Sequence, residues 1–257
     1  MKENLLGRLT WLSRHVPRVS TRTFGQMVFI DSDLPSAALN IVFGVPGSPE
    51  EVGTITRHCL PRSLPVTWWM PTDVATPAAW WMAECGWGIE DVYIGMALDL
   101  TDDYEIARPE DVGLVIRPAD TFERVRDLAL VIGSTYDGEG VREGALVRST
   151  IERQAEVIVN PREGFRGWVA YLDDRPVSAA IMCSSVDSAD ISGLATSPEF
   201  RHRGFAKTLF LHALAEAKAL GCRLATLQAV SKGVRLYTKM GFVPVNQFVL
   251  WNNQYLL

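Results

Sequence analysis

The stretch that most limits what this chain can fold into runs from Asp190 to Lys207, reading Asp-Ile-Ser-Gly-Leu-Ala-Thr-Ser-Pro-Glu-Phe-Arg-His-Arg-Gly-Phe-Ala-Lys. It opens with strand-like residues, breaks at Ser197-Pro198, passes through a basic turn containing Gly204 and enters a helix. The apolar positions of that helix, Ala206, Leu209, Phe210, Ala213, Leu214 and Ala217, follow an i, i+3, i+4, i+7, i+8 spacing, which is one helical face. A strand that delivers a basic, glycine-containing turn onto a helix start is suited to anions. First-turn N–H groups lack intrahelical acceptors, and the helix dipole adds partial positive charge there. Arg201, His202, Arg203 and Lys207 surround that point. The expected ligand is a phosphate.

The rest of the chain narrows what kind of protein carries this turn. At 257 residues it can form one large domain or two modest ones, each with its own core. The formal net charge is −5, so the basic turn is a local feature of a mildly acidic protein. A general nucleic-acid binder would show a basic face across a domain, and no nucleic-acid partner is expected. Cys59, Cys85, Cys183 and Cys222 are scattered, with no Cys-x-x-Cys pair and no clustered histidines, which argues against a metal site or a disulfide framework. No apolar run has the length of a signal peptide or a membrane span. The expectation is a cytoplasmic protein with no membrane partner, as a monomer or homodimer.

In the N-terminal half, Leu5, Leu6, Leu9, Trp11 and Leu12 predict a short amphipathic helix ending before Pro17. Strands are expected at Gly25 to Ile30 and Leu39 to Val45. Ser48-Pro49-Glu50-Glu51 has the chemistry of a helix start: a capping serine, proline at the first position and early acids. That helix should reach about Cys59. A strand over Val66 to Met70, a helix opening at Thr76-Pro77 and a strand over Tyr93 to Leu100 complete the half. Trp68, Trp69, Trp80, Trp81 and Trp87 concentrate here, either lining a pocket or filling a core or an interface.

The acidic, polar segment from Thr101 to Asp111 fits a linker. After it come a strand over Gly113 to Arg117, a helix from about Asp120 to Ile132, and a glycine-rich loop carrying Tyr136, Asp137 and Glu139. A second helix over roughly Glu143 to Val157 and a hairpin, Phe165 to Leu172 with Pro176 to Ser184, follow. Next are the strand Asp187 to Thr196, the long helix capped by Gly221, a strand over Arg223 to Ala229, a short helix from Ser231 to Gly241, and a closing strand over Val243 to Trp251. On the long helix, His212 lies opposite Leu209 and Leu214 and is expected to be exposed.

That order, with the loop Arg201-His202-Arg203-Gly204-Phe205-Ala206, resembles the GCN5-related N-acetyltransferase (GNAT) superfamily, whose pattern here is Arg/Gln-x-x-Gly-x-Gly/Ala. A second family signature, Tyr followed after two residues by Met/Leu-Gly-Phe, appears as Tyr237-Thr238-Lys239-Met240-Gly241-Phe242. The resemblance covers about residues 112 to 257. It implies an α/β (α+β) GNAT fold, a mixed twisted central sheet flanked by helices, as a catalytic domain over 112–257. A smaller degenerate GNAT-like α/β domain over 1–108 precedes it. In that half Gly47-Ser48-Pro49-Glu50-Glu51 replaces the basic turn, and acids at the helix start would repel phosphate.

The resemblance also implies acetyl-CoA as cosubstrate, without a metal. Its pyrophosphate would sit on backbone amides from His202 through Arg203, Gly204, Phe205 and Ala206 to Lys207, with Arg201 leading the turn. Its pantetheine would pair with the strand at Leu194, Ala195 and Thr196. Ser231 stands where the family often has Asn. Tyr237 occupies the general-acid position, to protonate the CoA sulfur, or is a tyrosine packed beside the cofactor. Asp190 lies where some members carry a general-base Glu, one methylene longer. By strand alternation it shares a face with Ser192, Leu194 and Thr196, and it is either the base or a solvated strand-end carboxylate. Tyr136, Asp137 and Glu139 are the candidate contacts to a cationic acceptor. The implied reaction is direct acetyl transfer to a primary amine, first of a small molecule, otherwise of a protein N-terminus or lysine. The alternative is a non-catalytic acyl-CoA sensor.

Overall fold

The structure is a computed structural model that describes residues 7, 19–71, 77–101, 105–107, 112–136, 141–159 and 164–257. The expected helix over residues 3 to 16 lies outside the described residues, as do Asp137, Glu139 and most of the expected linker. The chain is mixed α/β and divides into two compact units. One combines Met1–Met96 with Gln228–Leu257, and the other is Ala97–Leu227.

In the first unit the strand order is β1 (Ser20–Phe24), β2 (Met27–Asp31), β3 (Ile41–Phe43), β4 (Thr67–Pro71), β11 (Val243–Asn252) and β5 (Gly88–Asp99, whose last residues fall in the second unit). β3 and β4 are parallel and joined by helix α1 (Pro49–Cys59), while helix α2 (Ala78–Glu84) leads into β5. The α1 start is the one the sequence predicts: Ser48 caps it by accepting from the Glu51 N–H at 3.4 Å, with Pro49 in the first turn. Trp68 and Trp87 meet edge-on at 5.3 Å in the core, and their indole N–H groups donate to the Gly44 carbonyl and the Thr56 hydroxyl, both at 2.9 Å. Trp69 packs on Tyr93 and Phe248. Trp80 alone among the five expected aromatics is largely exposed, at 75%.

The closing strand joins this unit. β11 runs antiparallel to β4, with Trp251 opposite Trp68 and Leu250 opposite Trp69. Beyond it the buried Asn253 accepts from the Val66 N–H at 2.8 Å and donates to the Leu64 carbonyl at 3.0 Å. Residues 248–253 therefore take hydrophobic and polar partners from the N-terminal part of the chain.

In the second unit the order is β10 (Leu224–Val230, ending in the first unit), β9 (Ser188–Thr196), β8 (Arg175–Ser184), β7 (Phe165–Leu172) and β6 (Val115–Pro118). All neighbours are antiparallel except β9 and β10. Helices α3 (Phe122–Ser134), α4 (Val141–Arg153) and α5 (Ala155–Val159) lie between β6 and β7 in the chain, and α6 (Phe205–Ala219) lies between β9 and β10. Consecutive residues of β7 assign the two faces. A side chain on Gly167 would run into Leu128 of α3, whereas Trp168 meets His212 of α6 edge-on at 5.7 Å. His212 is thus half-buried rather than exposed, and burial lowers its pKa. α6 ends as expected: Gly221 adopts φ +84°, its N–H reaches the Lys218 carbonyl, and the Cys222 N–H reaches that of Ala217.

Candidate active site

The segment from Asp190 to Lys207, the candidate anion site, lies within the second unit. β9 ends at Thr196, a short helical turn over Pro198–Phe200 follows, and the chain enters α6 through Gly204. Gly204 adopts φ +82°, a left-handed conformation that side chains resist, and no side chain caps the helix. Among the described residues a Cβ at Gly204 would meet only the Val112 side chain, at 3.9 Å. The start of α6 therefore presents its amides next to a bare backbone turn, an arrangement that suits an anion. His202 also takes a left-handed φ, +63°.

The arginines of the turn have different tasks. Arg201 folds back and donates from Nε to the Thr196 carbonyl at 3.2 Å, tying the turn to the end of β9. Arg203 lies 4.8 Å from the Phe205 ring centroid and 5.8 Å from that of Phe200. Phe205 itself is buried, and Lys207 is half-buried in the first turn of α6.

β9 carries the second part of the site. Its parallel ladder with β10 joins Ser188–Asp190 to Leu224–Thr226 and ends there. The stretch from Ile191 to Thr196 pairs with β8 beyond the end of the β10 ladder, so its other edge offers backbone groups to an extended ligand. Leu194, Ala195 and Thr196 lie on this stretch, and Ser178 fixes it from β8 by donating to the Ala195 carbonyl at 2.6 Å.

The ladder between β8 and β9 slips at this point. Ile181 faces Ser192 and Ala179 faces Ala195, so Gly193 and Leu194 together oppose Ala180. One extra residue reverses the alternation. Asp190 and Ser192 share a face with Ala195, and Thr196 points to the other; the common face expected for Asp190 and Thr196 does not form. Gly193 adopts φ +59° in the bulge. A glycine inside a strand pattern is the sequence signal for it.

Asp190 is not solvated at a strand end. It is 1% exposed, and the Thr226 hydroxyl donates to its Oδ1 at 3.1 Å. Its direct neighbour on β8, Cys183, continues to Phe165 on β7, which places Asp190 on the α3 face of the sheet. Thr226 has no signal of its own in the sequence, since only the register of β10 brings it beside Asp190.

Tyr237 and Ser231 belong to the first unit, on helix α7 (Ser231–Lys239). Ser231 is the exposed first residue of the helix, which follows Val230 at the N-cap. Tyr237 is half-buried, edge-on to Phe242 at 6.1 Å, and its ring packs so close to Gly233 that a Cβ there would approach Cε2 at 3.3 Å. Burial pushes its phenol up to about 12. Of the acceptor candidates only Tyr136 is described: half-buried, just past α3, with its N–H on the Gly133 carbonyl at 3.0 Å. Among the described residues no three His, Cys, Asp or Glu side chains group closely enough to hold a metal ion, and no helix is long and apolar enough to cross a membrane.

The turn and the strand edge that leads to it lie inside the segment that a family model matches. Residues 163–244 fit the model described as "Acetyltransferase (GNAT) domain". Residues 163–244 are a GNAT domain. The whole chain is also similar in structure to GNAT proteins. A GCN5-related N-acetyltransferase from Kribbella flavida superposes with a TM-score of 0.71 at 17% identity, covering 98% of this chain and 94% of its own. A conserved protein of unknown function from Staphylococcus epidermidis ATCC 12228 gives 0.68 at 15% identity, over 94% and 96%. A tandem GNAT protein from the clavulanic acid biosynthesis pathway gives 0.61 at 15% identity, over 92% and 83%. At such identities these neighbours establish the GNAT fold. No curated protein matches the chain by sequence.

Proposed function

We propose that the chain is an acyl-CoA-dependent N-acyltransferase that moves an acetyl group from acetyl-CoA to the primary amine of a small molecule. The observation that carries this reading is the start of α6. Its left-handed Gly204 opens the backbone turn, and the turn lies at the end of a strand whose ladder to β10 stops at Asp190. When bound, acetyl-CoA would supply a thioester whose carbonyl carbon an amine can attack. The chain's residues would do the rest. The amides of the turn from His202 to Lys207 hold the pyrophosphate, Arg201 fixes the turn, and the edge of β9 at Leu194 to Thr196 aligns the extended arm. Ser231 is the weaker candidate contact at the start of α7.

Asp190 would accept the proton the amine loses, oriented by Thr226, with water relaying it because the carboxylate is buried. Tyr237 would donate to the sulfur as it departs. The sulfur becomes basic only as the C–S bond breaks, so donation would be coupled to cleavage, and a phenol near 12, a weaker acid than a thiol near 8.5, would regain its proton from solvent afterwards. The acceptor would meet Tyr136, Asp137 and Glu139, whose carboxylates suit a cation.

Residues 1–108 fit a degenerate GNAT-like half and 112–257 the catalytic half. The Glu51 carboxylate supports this, because it accepts from the Gly47 N–H at 2.7 Å and puts negative charge where a phosphate would have to sit. Replacing Tyr237 by Phe tests the enzyme reading against a non-catalytic sensor. Thioester turnover should fall while CoA affinity persists, and unchanged transfer would remove Tyr237 as the donor.

A further inference from the structure

Beside the turn lies an arrangement that none of these roles uses. Phe200, at the end of the short helical turn before α6, carries two guanidiniums on one ring. Arg203 Cζ stands 5.8 Å from its centroid and Arg175 Cζ 5.2 Å. Arg175 arrives from elsewhere in the sequence, as the first residue of β8 after the Asp173-Asp174 turn, whose two residues both take left-handed φ values (+49° and +59°). The acid beside it, Glu199, is 4.0 Å away with both side chains largely exposed, so the pair is weak.

Two like charges gathered on one ring repel each other, and the exposed Glu199 carboxylate offsets that only in part. A guanidinium attracted to a ring face keeps N–H donors that can fork onto a phosphate. The amides of α6 suit a pyrophosphate diester. A phosphate monoester carries close to two charges at neutral pH and calls for guanidinium forks instead.

We propose that Arg175 and Arg203, positioned by Phe200, form a subsite for the 3′-phosphate on the adenosine of CoA. The inference rests on the cofactor reading above. It makes the chain selective for true CoA thioesters over acyl donors that end without the 3′-phosphate.

Calorimetric titration of the full chain with CoA and with 3′-dephospho-CoA tests it. The wild-type protein should prefer CoA by about tenfold, roughly one charge-assisted contact. Arg175→Ala should lose most of that preference through weaker CoA binding, while 3′-dephospho-CoA binds within about twofold of wild type, which also reports an intact fold. Arg175→Lys, keeping the charge without the fork, should fall between. A wild-type protein that binds both nucleotides equally, or an Arg175→Ala protein with the full preference, overturns the subsite. Binding of neither nucleotide overturns the cofactor reading itself and the subsite with it.

Discussion

The Thr226 hydroxyl donates to Oδ1 of Asp190 at 3.1 Å on the last rung where β9 and β10 run side by side. The carboxylate therefore sits, buried and oriented, at the point where the edge of β9 opens. If it receives the amine proton, Asp190→Asn should lower kcat by about 100-fold while acetyl-CoA affinity stays within twofold. Thr226→Val should lower kcat less, because it removes only the orienting bond. Wild-type turnover in Asp190→Asn would leave the carboxylate a structural role.

The phenol of Tyr237, pushed up to about 12 by burial, keeps its proton throughout the working range. Its folded value lies above the ordinary value near 10, so ionisation begins to remove the donor only as pH approaches 12. Steady-state rates should show no falling limb from this group below about pH 11. A falling limb near pH 10 that disappears in Tyr237→Phe would contradict this.

Gly204→Ala isolates backbone conformation at the turn. Among the described residues the new Cβ would meet only Val112, at 3.9 Å, but the left-handed φ of +82° costs a side-chain-bearing residue about 1–2 kcal/mol. The melting temperature should drop by several degrees, and acetyl-CoA should bind about tenfold more weakly as the turn relaxes. Unchanged affinity would place the pyrophosphate elsewhere.

Asn253 tests where the C-terminal segment belongs. Its side chain satisfies the Val66 N–H and the Leu64 carbonyl in a buried position, so Asn253→Ala leaves both backbone groups short of a partner. The loss should be about 1–3 kcal/mol in denaturant unfolding. A midpoint equal to wild type would mean the segment is not seated as described.

Much of this was readable in advance, for reasons that differ by residue. The α6 face, the Gly204 turn, the Gly221 cap and the Ser48-Pro49 helix start each depend on neighbours a few positions away, so local spacing specifies them. β1 went unread because its five residues are mostly exposed and show no apolar alternation. The destination of β11 was also hidden. Its residues read as a strand, but its pairing with β4, some 180 residues earlier, is a tertiary choice set by Trp251 and Leu250 meeting Trp68 and Trp69. At the site, strict alternation placed Asp190 and Thr196 on one face, and the bulge at Gly193 reversed it. Thr226, Phe200 and Arg175 entered only through proximity in the fold.

Whether this chain transfers an acetyl group to an amine is tested most directly by release of free CoA thiol from acetyl-CoA, measured across a panel of small primary amines. Amine-dependent release is expected with at least one cationic member of the panel, accompanied by the acetylated amine in equal amount. Tight acetyl-CoA binding with no thiol released by any acceptor would contradict it, and would make the chain a sensor of acyl-CoA instead.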